Sequence, residues 1–246
     1  MLVQLDDYDL EDFVARAETF PADRFGFVVT PNADHLLRLR EDSEFRRLYA
    51  AAAYVLLDSR LVANLLRRFR AQRFPVCTGS DLTAALLERV VHPDDRLIVI
   101  GASAAQADAL RQRYGLRDLQ HYNPPMGFIR DPVALAATVD FVEAHSPARF
   151  LFLAVGSPQQ EMLADALLQR GRARGLAFCV GASVNFLTGG EKRAPAALQR
   201  IGAEWLYRLL QDPRRLWRRY IWNAPKVLAT LRGSRFQLRP RMPDRR

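Results

Sequence analysis

The chain has 246 residues, 49% of them hydrophobic, and a formal net charge of +9. That suffices for one sizeable core plus an appendage, and no apolar run approaches the roughly 18 residues of a membrane-spanning helix. Two cysteines, Cys77 and Cys179, are too few for a disulfide framework or a thiolate metal site and fit buried thiols in a reducing cytoplasm.

In chain order, the start MLVQLDDYDLEDF is acidic, unlike a secretory signal or a transit peptide. The apolar runs RFGFVVT (24–30), AYVLLD (53–58), RLIVIG (96–101), RFLFLAVG (149–156) and LAFCVG (176–181) read as buried strands. PVCTG (75–79) is a further candidate. Between them, 33–50, 60–70, 80–91, 103–114, 132–145 and 158–170 carry helical spacing. Apolar runs alternating with amphipathic ones predict crossover units, and so an α/β fold with a largely parallel sheet covered on both faces. Such sheets bind ligands outside the carboxyl ends of their strands. VIGAS, AVGSP and CVGAS each stop a strand at Gly and small residues, which admit a ligand close to the backbone or serve as ordinary turns.

The charge is uneven. Residues 1–189 carry 21 Lys+Arg against 23 Asp+Glu, whereas residues 190–246 carry 15 against 4. The basic excess lies in the last quarter and points to an anionic partner there: lipid headgroups, diphosphates or nucleic acid. No RNP-like, helix-turn-helix or zinc-finger pattern supports nucleic acid. The GxGxxG, GxxxxGK[ST] and HExxH patterns are absent, and the four histidines (His35, His92, His121, His145) are scattered, which argues against a dinucleotide enzyme, a P-loop NTPase and a zinc hydrolase.

Individual motifs admit a structural and a functional reading. Thr30 and Asn32 follow a strand and precede a helix; Asn32 either caps that helix or joins Thr30 in bonding a sugar or phosphate. Asp58 ends a strand as a helix cap, a ribose ligand or a general base. In GSPQQ (156–160), Ser157, Pro158 and Gln160 form an S-x-x-Q capping box after Gly156, and a helix start there also suits a phosphate. Asn185 is placed to read a base edge. All three tryptophans fall in AEWLYRLLQDPRRLWRRYIW (203–222). Asp212-Pro213 starts a helix on which Arg214, Arg215, Arg218 and Arg219 occupy one arc of about 140° and Leu216, Trp217, Tyr220 and Ile221 another. That is the pattern of a helix lying on anionic lipid, or of one packed on a core with its arginines in water.

TPNADHL, the strand ending in Asp58, TGSDL, NPPMGF, VGSPQQE and KRAPAALQRIGAEWLYRLLQDPRRLWRRY resemble, in this order, the WecG/TagA/CpsF family of bacterial glycosyltransferases. The resemblance spans roughly residues 24–225. It implies a Rossmann-like α/β domain, with a catalytic unit over 1–195 and a basic helical appendage over 196–246. It implies inverting, metal-independent transfer from a UDP-sugar donor to a polyprenyl-diphosphate-linked acceptor in exopolysaccharide or other surface-polymer synthesis, at the inner face of the cell membrane. No cofactor, metal or nucleic acid is expected, and the appendage allows self-association into a homo-oligomer. A catalytically silent sugar-nucleotide-binding subunit is the alternative.

Carried onto this chain, the resemblance makes Asp58 the base. Thr30, Asn32 and Gln160 surround the sugar and diphosphate, with Gly156 and Ser157 beside them, and Asn185 lies near the uracil. Some of Arg208, Arg214, Arg215, Arg218 and Arg219 meet the leaving diphosphate. Three positions depart from the family pattern: Ser59 stands where Gly is usual, Val76 where a basic residue is common, and Asn185 where Asp is common.

Overall fold

The computed structural model describes residues 1–189, 194, 195, 198, 203–217 and 222–241, less the side chains of 204, 208, 215 and 216. Six parallel strands form the main sheet: β2 (Phe25–Val29), β3 (Tyr54–Val55), β4 (Leu97–Gly101), β5 (Leu119–Tyr122), β6 (Phe150–Ala154) and β7 (Gly175–Cys179). Their order is β3-β2-β7-β6-β4-β5, every pair parallel. A second, two-stranded parallel sheet joins β1 (Leu2–Asp6) to β8 (Arg235–Arg239).

The alternation of side chains along a strand divides the core into two layers. Phe27, Val29, Val55, Ile98, Ile100, Leu151, Leu153, Ala177 and Cys179 point to one face. There they pack on Leu36 and Leu39 of α2 (Ala33–Glu41), Phe45 and Leu48 of α3 (Ser43–Ala51), Val62 and Leu66 of α4 (Arg60–Arg70), Val139 of α7 (Pro132–Ala144) and Leu163 of α8 (Gln159–Arg170). Val28, Tyr54, Leu97, Val99, Phe150, Phe152, Leu176 and Phe178 point the other way. They meet Phe13 of α1 (Leu10–Glu18), Leu82 and Leu86 of α5 (Gly79–Arg89), Leu110 of α6 (Ala104–Tyr114) and Val184 of α9 (Ser183–Leu187). A parallel sheet covered on both faces by crossover helices is a Rossmann-like α/β fold.

Several elements differ from the sequence expectation. PVCTG is not a strand: Cys77 N–H donates to the Leu57 carbonyl at 3.0 Å, and the chain turns at once into α5, capped by Thr78. The stretch 33–50 is two helices because Asp42 accepts from the amides of Glu44 and Phe45 and caps a new start. The acidic leader contains β1, and β5 was not expected at all.

The C-terminal region contributes α10 (Glu204–Gln211), α11 (Pro213–Trp217), which starts at Pro213 as expected, and α12 (Ala224–Gly233). Residues 224–239, expected as part of the appendage, fold back onto the body. α12 packs on α2 and α4, Leu231 and Phe236 are buried in the main core, and β8 runs beside β1. Two arginines of the tail have acidic partners. Arg239 pairs with the buried Asp6 at 2.7 Å, and Arg241 bonds Asp12 and the Asp7 carbonyl. The basic tail is thus met by the acidic leader, which sequence distance conceals.

Candidate active site

At the carboxyl edge of the main sheet, beyond β2, β3, β6 and β7, a cleft of about 340 Å³ is lined by Thr30, Asn32, Asp58, Gly156, Ser157 and Gln160 together with Asp34, His35, Arg38, Ser80 and the 179–183 turn. Thr30 directly follows β2, and its hydroxyl donates to the Cys179 carbonyl of β7 at 3.4 Å. Gly79, the first residue of α5, packs close here: a Cβ would sit 3.3 Å from Thr30 Oγ1, a tight contact. The start of α5 therefore lies directly against the cleft.

Asn32 caps α2, its side-chain oxygen accepting from the amides of Asp34 (3.0 Å) and His35 (3.3 Å). The cap reading is thus realised, and the same residue faces the cleft. For Asp58 the alternatives separate. Ser59, not Asp58, caps α4, with Ser59 Oγ accepting from Val62 N–H at 3.2 Å. Asp58 N–H donates to the Pro31 carbonyl at 2.9 Å, prolonging the β2–β3 pairing past the last formal strand residue. Its carboxylate is left at the lip, half-buried.

The capping box at 157–160 is not formed. α8 starts at Gln159 with no side-chain cap. Ser157 Oγ accepts instead from Arg38 Nη1 at 3.2 Å. Gln160, buried, turns inward: its Oε1 accepts from Gly181 N–H at 2.8 Å and its Nε2 donates to Glu161 Oε1 at 3.1 Å. The Oε1 bond ties α8 to the turn after β7, whereas the Nε2 bond stays within α8. Gly156 holds a positive φ of 81° in open space, a conformation that a side chain would strain. Glu161 is fully buried; burial pushes its carboxyl pKa up, against the opposing pull of the Gln160 bond. α2, α5 and α8 all begin at this edge, so three helix N-termini present their positive ends to the cleft.

Asn185, on α9, is not among the cleft-lining residues; its Oδ1 accepts from Gln106 Nε2 at 2.8 Å. Arg214 is exposed on α11. Arg208 and Arg215 sit on α10 and α11, but their side chains, like Arg218 as a whole, fall outside the described residues. Val76 packs against the core. Asp34, His35 and Arg38 were missed by sequence reasoning. The available signal was their i, i+1, i+4 spacing after the Asn32 cap, which puts them on one helix face. The Asp7-Tyr8-Asp9 triplet, which has the form of a metal-binding Asp-x-Asp, is structural: Asp9 caps α1 and Tyr8 is buried against Phe13 and Tyr54. Among the described residues no three His, Cys, Asp or Glu side chains are grouped to hold a metal ion.

A sequence profile of the glycosyl transferase WecG/TagA/CpsF family matches residues 1–241. The chain belongs to that family. The match extends beyond the blocks quoted above to take in β1 and β8, the two strands that close the molecule. Members of the WecG/TagA/CpsF family are glycosyltransferases of cell-surface polymer synthesis, working in general terms with a sugar-nucleotide donor and a lipid-linked acceptor. For a member of this family, a polar cleft at the carboxyl edge of the sheet is the expected place for an activated sugar.

Proposed function

We propose that the chain moves a sugar from a UDP-sugar to a hydroxyl of a polyprenyl-diphosphate-linked acceptor, with inversion at the anomeric carbon and without a metal ion. The observation that carries this reading is the placement of Asp58: a half-buried carboxylate on a polar cleft, released from capping duty by Ser59. Asp58 takes the proton of the acceptor hydroxyl as that oxygen bonds to the anomeric carbon. The bond from that carbon to the diphosphate oxygen breaks on the opposite face, and UDP leaves with the electron pair. A single displacement of this kind inverts configuration.

The departing diphosphate gains negative charge. The N-termini of α2, α5 and α8 face it, and Arg214 and Arg218, with Arg208 and Arg215, approach from the C-terminal arm to form guanidinium–phosphate contacts. Thr30, Asn32, Gly156 and Ser157 border the sugar and diphosphate. Gln160 acts on them by fixing the Gly181 turn.

The arm also supports peripheral attachment to the inner face of the cell membrane. Leu206 and Leu210, one turn apart on α10, and Trp217 and Trp222 are all exposed, and basic residues lie among them. No described helix is long and apolar enough to cross a membrane, so the lipid-linked acceptor would be met from the surface.

The test is a donor screen: purified chain, a panel of UDP-sugars and a polyprenyl-diphosphate-sugar extract, with UDP release and product anomer as readouts. Release that needs both substrates, survives EDTA and gives the inverted anomer is expected. A retained anomer, or release abolished by EDTA, overturns the mechanism.

A further inference from the structure

Asp34, His35 and Arg38 share the face of α2 that borders the cleft. Among the described residues lining it, Arg38 is the one Lys or Arg side chain. Its guanidinium is held by groups from other elements. Nη1 donates to Ser157 Oγ at 3.2 Å, from the loop between β6 and α8. Its central carbon lies 5.0 Å from the centre of the Phe45 ring of α3, a cation–π contact. Within electrostatic reach lies the buried Glu161 carboxyl group, whose Oε2 has no hydrogen-bond partner among the described residues. The positive charge of Arg38 favours the ionised form of that carboxylate, against the dominant effect of burial.

A cation fixed in this way has little side-chain entropy left to lose when it meets a ligand. It also has donors to offer. A guanidinium carries five N–H groups, and the Ser157 bond uses one. Asp34 and Asp58 line the cleft as well, and a diphosphate that enters there gains from a guanidinium already held in place.

We propose that Arg38 is a substrate-binding residue that donates to a diphosphate oxygen in the cleft. The inference rests on the cleft being the site of transfer, but assigns a residue on the catalytic body rather than on the arm. A diphosphate reaches the cleft from two sources, the nucleotide donor and the lipid-linked acceptor, and the experiment separates them.

Wild-type chain, Arg38→Gln and Arg38→Lys are titrated calorimetrically with UDP, uridine and inorganic pyrophosphate, and the KM for the lipid acceptor is measured in parallel. For a donor diphosphate, Arg38→Gln weakens UDP and pyrophosphate by about 10- to 100-fold and leaves uridine unchanged; Arg38→Lys recovers part of the loss. If the UDP Kd is unchanged while the acceptor KM rises by a similar factor, the diphosphate is the acceptor's and the assignment of Arg38 stands. Pyrophosphate binding that depends on Arg38, in a chain that binds no UDP, would remove the nucleotide reading and keep Arg38 as an anion ligand. Unchanged UDP, pyrophosphate and acceptor constants overturn the proposal. So does a uniform loss that includes uridine and is accompanied by a lowered Tm, which marks a purely structural arginine.

Discussion

Ser59 and Asp58 divide a job that one aspartate often does alone. A carboxylate at a strand end commonly caps the next helix; here the neighbouring hydroxyl does so, and the carboxylate faces the cleft. Ser59 is therefore more than a departure from the usual Gly: it supplies the cap of α4. Glu161 illustrates a different use of a carboxyl group. Burial raises its pKa above the ordinary 4.5, so between the unfolded and folded values the native state holds a proton that the unfolded state has released. Stability then falls as pH rises through that window. Glu161→Gln removes this titration. Chemical denaturation of the two proteins across pH should show wild type losing stability relative to the variant as pH climbs above about 4.5; parallel curves would mean that Glu161 titrates normally. Thr30, Asn32, Asp58 and the 156–160 loop were legible because each follows a strand at its carboxyl end, where chain geometry alone brings them together. Arg38 was not, because it lies inside a helix and its face is decided by how α2 packs.

At the scale of elements, closure depends on a pairing between the two ends of the chain. Asp6 sits at its centre: its Oδ2 accepts from Val55 N–H at 2.6 Å and from Arg239 at 2.7 Å, binding β1 to the edge strand β3 and to β8 at once. Phe236 of β8 is buried against Phe74, so Phe236→Ala should destabilise the chain by about 3–5 kcal/mol, read as a lowered denaturation midpoint with the slope unchanged. A loss below about 1 kcal/mol would show that β8 is only loosely docked. It follows that removing everything past residue 203 also removes part of the core. This pairing was hidden in the sequence for a physical reason. Val3 and Leu5 alternate correctly, but the run of acids around them reads as a solvated leader, and the partner strand lies more than 200 residues away. β5 escaped notice for the opposite reason: LQHY is a short edge strand, half-exposed over three of its four residues, with little apolar signal. The five long apolar runs were legible because a strand buried on both faces has few polar positions.

For the whole molecule, the charge asymmetry has two destinations. Part of it is internal, where Arg239 and Arg241 answer Asp6 and Asp12. Another part, Arg208, Arg214, Arg215, Arg218 and Arg219, falls in 203–222, where it is proposed to meet phosphates of substrate and lipid. Because truncation would disturb the core, the membrane role is better tested in the full chain. Replacing Arg214, Arg215, Arg218 and Arg219 by Glu should abolish co-flotation with vesicles rich in anionic lipid, each charge having contributed about 1 kcal/mol; flotation equal to wild type would refute lipid binding by this segment. Base, cleft and arm come together only in turnover on a membrane-borne acceptor, and the base is the claim on which the others depend. The decisive measurement is Asp58→Asn assayed on vesicles carrying the lipid-linked acceptor, beside calorimetric titration with UDP. The account predicts that kcat falls by about 10²- to 10⁴-fold while the Kd for UDP and the Tm stay close to wild type. Turnover near that of wild type would show that Asp58 is not the base.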